Sequence, residues 1–186
     1  MSRPIRIEVE DRLRFTFERP AWDAVKWDDD PAYLRGLQRH GGKAVDIIAT
    51  LDRRSLHLFE IKDPRGDWAT YRGQNSVDAI SQIVADKVRD TLAGLLFCRD
   101  RHPCDHLLVH LKALFDRDER VFVTFWLETI RLDPTLAMTL KTQIEKKLRW
   151  LNPSVIVTSR ALWPQMRGHG LPGLSVESMQ GAPWRG

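Results

Sequence analysis

At 186 residues, with 42% hydrophobic and 29% charged side chains, the chain has the composition of a globular protein large enough to bury a core. A net charge of +4 and a pI near 9.3 lean toward anionic partners such as nucleic acid, although 29 bases are interspersed with 25 acids and form no long run. Two cysteines argue against a disulfide framework, no apolar stretch is long enough to span a bilayer, and "MSRPIRIEVED" lacks the apolar region of a secretion signal; the expectation is an intracellular, cytoplasmic protein with no membrane partner.

"IRIEVEDRLRFTFER" alternates apolar and polar residues through Ile5, Ile7, Val9, Leu13, Phe15 and Phe17. That pattern predicts an N-terminal hairpin over 4–18, turning near Glu10 to Arg12 and solvated on one face. "DDDPAYLRGLQRHGG" predicts a short helix with Asp30 as N-cap, Pro31 in its first turn and Gly41-Gly42 at its end. "KAVDIIATLDRRSLHLFEIKD" predicts a second hairpin turning around Asp52 to Ser55, and "DPRGDWATYRGQN" a loop. From Ser76 a long helix carries Val77, Ile80, Val84, Val88, Leu92 and Leu95 along one side, and "DHLLVHLKALF" continues helical after Pro103.

"RVFVTFWLE" predicts a strand buried on both faces. Asp133 and Pro134 open a further helix, "SVIVTS" follows as a strand, and the Gly/Pro-rich tail 161–186 is irregular apart from one short strand in "LSVESM". The order predicts one α/β domain over 1–186, a mixed central sheet flanked by helices with its core at about 30–160.

The second hairpin holds the chemistry. Asp46 and Glu60 stand in otherwise apolar arms, and Lys62 shares the face of Glu60 because side chains alternate along a strand. A three-residue turn at Asp52 to Arg54 sets Asp46 opposite Glu60, with Cβ atoms ~5 Å apart; a two-residue turn offsets them by one. Two like charges across a buried pair are destabilising alone, and a Mg²⁺ ion, which takes carboxylate oxygens at ~2.1 Å and keeps several waters, resolves the conflict. Lys62 beside such an ion is placed to orient a water or to neutralise charge developing at a phosphate, as metal-assisted phosphodiester hydrolysis requires.

At Asp46 and Glu60-Ile61-Lys62 the chain resembles the PD-(D/E)xK nuclease superfamily, the restriction-endonuclease-like fold. Val45 stands where that pattern nominally has proline. The resemblance implies a restriction-endonuclease-like core and a Mg²⁺ or Mn²⁺ ion held by Asp46, Glu60 and the carbonyl of Ile61. Lys62 is then the catalytic base or charge stabiliser. It implies hydrolysis of nucleic acid, DNA before RNA. No helix-turn-helix, zinc finger or other targeting motif is legible, and a homo-oligomer or service as a subunit of a larger complex would compensate. The alternative is the same fold kept as a non-catalytic module for nucleic-acid binding or protein assembly.

Lys43, Arg65 and Arg72 flank the hairpin as candidate phosphate contacts or as plain loop charge. An additional acid on the first helix occurs in some members of the fold; capping explains the run Asp28-Asp29-Asp30 more simply. Gln82 falls toward solvent on its helix and Asp86 stands four residues on, where exonucleases of the RecB type place a tyrosine. Cys98, His102, Cys104, His106 and His110 are clustered without the spacing of a zinc finger, and read as a helix junction. Trp163 and Trp184 in the tail are candidates for a partner surface.

Overall fold

The computed structural model describes residues 3–10, 12–64, 70, 71, 73, 75–99, 102–115, 120–129, 132–166 and 171–179. In chain order the elements are β1 (Ile5–Val9), β2 (Leu13–Phe17), β3 (Trp22–Lys26), α1 (Pro31–Arg35) with a 3₁₀ turn at Leu37–His40, β4 (Ile47–Leu51) and β5 (Ser55–Lys62). Then come α2 (Val77–Cys98), a 3₁₀ turn at His102–Leu107, α3 (Leu108–Phe115), β6 (Phe122–Leu127), α4 (Pro134–Lys147), β7 (Ser154–Thr158), α5 (Trp163–Met166) and β8 (Leu174–Ser178).

The chain is α/β, with a mixed five-stranded sheet in the order β3-β4-β5-β6-β7. Its first three strands run antiparallel and its last three parallel, so β5 belongs to both halves. A three-stranded antiparallel sheet, β1-β2-β8, lies in a second layer. Ile47, Phe59, Ile61 and Trp126 of the large sheet meet Phe15 and Phe17 of the small one. Phe15 stacks edge-on to Trp126 at 5.3 Å and Phe17 to Phe59 at 5.7 Å, geometry that aromatic quadrupoles favour. The opposite face, through Ile48, Leu56, Leu58, Val123 and Phe125, packs under Val84, Val88, Leu92, Leu111 and Leu140 of the helices.

The helix starts follow from their caps. Asp30 accepts from the Ala32 amide, Ser76 from that of Ala79 and Asp133 from that of Leu136, each satisfying an orphan N–H of a first turn. Gly94 lets α2 close on Trp27, just past β3, since a Cβ there would meet that ring at 3.0 Å. No helix of the described residues is long and apolar enough to cross a membrane.

Two readings need correction. Strand β3 was not predicted: "WDAVK" alternates too briefly, and its strand is made by pairing with β4 and by burying Trp22, whose indole N–H donates to the Pro172 carbonyl at 2.6 Å. The tail carries the one short strand expected in "LSVESM": β8 pairs with β2. Trp163 is no partner surface; it is buried, 5.7 Å from Trp126. Trp184 lies outside the described residues.

Candidate functional site

The β4–β5 turn has three residues: Leu51 pairs with Ser55, and Asp52 and Arg53 adopt the left-handed conformation that closes such loops. Counting back along that register through Ile47 and Phe59 sets Asp46 opposite Glu60. The strands have begun to part there. Asp46 donates its amide to the Phe59 carbonyl at 3.0 Å, while its carbonyl accepts from Trp27 at 2.8 Å. The Ile61 amide is met by the Asp46 carboxylate, Oδ2 at 2.5 Å, in place of a main-chain partner.

Helix α2 supports the departing chain. Thr91 Oγ1 accepts the Val45 amide at 3.0 Å and Asp90 Oδ2 the Lys43 amide at 3.0 Å. Residues 43–46 therefore do not alternate as a strand would: Ala44 and Val45 both enter the helix-side core. Val45 turns to that core because α2, not a neighbouring strand, supplies its amide partner.

Glu60 and Lys62 face α2, as period two requires. Glu60 is 1% exposed, and Lys87 of α2 donates to both its oxygens, at 2.8 and 2.7 Å. Lys62 Nζ lies 3.7 Å from Glu60 Oε1 and 3.3 Å from Oε1 of Glu10, in the β1–β2 turn. The other Glu10 oxygen accepts the Asp63 amide at 3.0 Å.

A further acid closes on the site from the segment after β3. Of the run 28–30, Asp30 is the cap and Asp29 pairs with Lys26 at 2.7 Å, so capping does not account for Asp28. Asp28 Oδ1 is buried and has no hydrogen-bond partner.

The electrostatics of these groups agree in sign. Burial, then the Asp46 charge, pushes Asp28 up to about 6. Burial likewise raises Asp46, against the pull of Lys87, the Ile61 amide and Lys62. Burial, then the Asp46 charge, raises Glu60, opposed by Lys87 and Lys62. Burial works against the Lys62 ammonium, but Glu60, Asp46 and Glu10 outweigh it and hold that group charged. Lys62 is thus held as an ammonium in this fold.

No protein-family model, no curated protein and no solved structure matches the chain.

The donor set suits a hard divalent cation. Asp28, Asp46, Glu60 and Glu10 set four carboxylates against the two ammonium groups of Lys62 and Lys87, and the three deepest acids are all disfavoured in their charged form. The orphaned Asp28 oxygen is a carboxylate oxygen of the type Mg²⁺ takes. Among the described residues no three Asp, Glu, His or Cys side chains are already gathered on one point. Glu60 is committed to Lys87 instead.

The remaining candidates fall elsewhere. Lys43 is half exposed, its Nζ 3.6 Å from Asp86; Arg65 and Arg72 lie outside the described residues. Gln82 is exposed and donates to Asp86 at 2.8 Å. Cys98 and Cys104 are buried as free thiols, His106 bonds Asp30 at 2.7 Å and His110 bonds Thr50 at 2.7 Å, while the side chain of His102 is outside the described set. Glu128, a buried acid just beyond β6, is fully engaged by Trp126, by Arg160 and by the Arg160 amide.

Lys87, Glu10 and Asp28 escaped the sequence reading. Lys87 lies roughly 80° from the centre of the α2 apolar stripe, so a lysine at the edge of a buried face was the available signal. Glu10 had none, since its partners are 52 and 53 residues away.

Proposed function

We propose that this chain is a metal-dependent phosphodiesterase acting on nucleic acid, DNA before RNA. The observation that carries the reading is the opposition of Asp46 and Glu60 at the parting end of β4 and β5, with the Lys62 ammonium two residues on. Asp46, Glu60 and the Ile61 carbonyl would hold Mg²⁺ or Mn²⁺, with Asp28 as a further carboxylate. When bound, the ion supplies a polarised phosphoryl oxygen and a water of lowered pKa. Lys62 stays an ammonium and stabilises negative charge developing at the phosphate, its stem fixed by the strand and its head by Glu10. Asp46 also holds the Ile61 amide, which keeps the main chain of the E-x-K strand in place.

The test is cleavage of single-stranded DNA, duplex DNA and RNA with and without Mg²⁺ or Mn²⁺, beside Lys62→Ala and Asp46→Asn. Metal-dependent cleavage lost in both variants is expected; no cleavage under any condition, or cleavage indifferent to both, rejects the reading. A second reading, a non-catalytic binding or assembly module, is favoured by one observation: Lys87 already neutralises Glu60 as a closed ion pair. That reading predicts nucleic-acid binding without turnover and no dependence on Asp46.

A further inference from the structure

Resting on the metal-site reading above, we propose that Lys87 is the site's internal counter-ion, a built-in competitor that a divalent cation must displace from Glu60. Both Glu60 oxygens accept from Lys87 Nζ, at 2.8 and 2.7 Å, whereas Lys62 approaches only one of them, at 3.7 Å. With 1% exposure Glu60 has almost no access to bulk water, so its compensation comes from these two amines and chiefly from Lys87.

Lys87 differs from Lys62 in its freedom to leave. Lys62 is tied by Glu10 as well as by Glu60, and it extends from a strand hydrogen-bonded on both sides. Lys87 rides on the edge of α2, beside the buried stripe through Val84 and Val88 and itself only partly buried. Its side chain is 18% exposed, and a four-carbon stem lets the ammonium swing toward solvent while its methylenes stay packed. The event is ion exchange: one monovalent ammonium leaves Glu60, one divalent cation takes its place, and no covalent bond changes. Lys87 then sets the metal concentration at which the site loads, while Glu60 is never left bare in the metal-free fold.

The experiment is a Mn²⁺ titration of the full chain, followed by the EPR signal of free Mn²⁺, for wild type, Lys87→Met and Lys87→Arg. Lys87→Met is expected to bind Mn²⁺ about tenfold more tightly or better, the scale for removing one unit charge at contact distance after screening. Lys87→Arg, which keeps the charge, should stay near wild type. Wild-type binding with Lys87→Met no tighter overturns the proposal and leaves the metal site standing. No Mn²⁺ binding by any variant overturns both together. Should Lys87→Met fail to fold, the wild type decides: the ¹⁵Nζ NMR signal of Lys87, assigned by its loss in Lys87→Arg, must move over the Mg²⁺ range that loads the protein. A signal unmoved at saturation overturns the proposal.

Discussion

Glu10 and Lys62 join the two sheets at the candidate site: Oε1 of Glu10 lies 3.3 Å from Lys62 Nζ, and its Oε2 accepts the amide of the next residue, Asp63. The side chain that makes both contacts sits in a turn at φ 52°, a left-handed conformation that costs a non-glycine residue about 1 kcal/mol or more. A tight turn between β1 and β2 is thus spent on aiming a carboxylate at the E-x-K strand.

That geometry orders three substitutions at Glu10. The ion pair is a third exposed and is worth ~1 kcal/mol at most, whereas the amide of buried Asp63 costs ~1–3 kcal/mol if left bare. Glu10→Gln, which still accepts from Asp63, is expected to match wild type within about 1 kcal/mol. Glu10→Ala should lose about 1–2 kcal/mol, and Glu10→Gly should fall between them because it relieves the left-handed residue. Urea melts at pH 7 measure the order; Ala as stable as Gln would deny the Asp63 contact.

Asp46 separates charge from hydrogen bonding. Its carboxylate is disfavoured by burial yet holds the Ile61 amide. Asp46→Asn retains an acceptor and removes the like charge facing Glu60, so the metal-free fold should gain about 1 kcal/mol, roughly 2–4 °C at this size. Asp46→Ala strands the amide and should be destabilised by a similar amount or more. Thermal melts with and without Mg²⁺ read both effects: a metal-induced rise is expected in wild type and in neither variant. An Asn variant less stable than wild type would mean that the two acids do not repel.

Asp28 offers a second handle on the same charge. Its folded value of about 6 stands above the ordinary 3.8, so the native state holds more protons than the unfolded chain in between, and stability falls as pH rises through that window. Asp28→Asn is expected to flatten the fall between about pH 4 and 6 in the metal-free protein. It should weaken, without abolishing, the Mg²⁺-induced rise. Midpoints at half-unit pH steps check it; parallel profiles for wild type and variant would reject the burial of that charge.

What could be read in advance divides along physical lines. The Asp46–Glu60 opposition needed only period-two alternation and a three-residue turn, both local, and the capped starts of α1, α2 and α4 needed only side chains within three residues of the helix. Strand β3 was hidden because partners outside its own segment decide it: β4 supplies its hydrogen bonds and Pro172 the acceptor for Trp22. The same distance hid Lys87 from Glu60 and Glu10 from Lys62, since no sequence period links a helix edge or a turn to a strand. Asp28 was hidden differently. A sound local explanation, capping, covered three adjacent aspartates when it applied to one of them.

His57 is a buried imidazole whose titration opposes folding in acid. It lies fully buried between the sheets, stacked on Phe122 at 4.5 Å and edge-on to Trp22 at 4.9 Å, with Nδ1 lacking a partner. Burial lowers its pKa from 6.5 to about 3, and burial lowers that of His110 to about 4. A depressed folded value means that the unfolded chain binds the proton first. Stability from each imidazole is therefore complete above about pH 6.5 and is lost as pH falls toward the folded value. The buried carboxylates run the other way, so the wild-type profile sums opposing slopes and a single-site variant is needed to separate them. His57→Phe keeps an aromatic ring against Phe122 and removes both the titration and the orphaned nitrogen. At pH 7 it should lie within about 1 kcal/mol of wild type. Near pH 4.5 it should be the more stable protein by on the order of 2 kcal/mol, the linkage expected over two pH units for one fully buried imidazole. Urea midpoints at the two pH values measure the difference, and an equal loss in both proteins would place the acid sensitivity on another group.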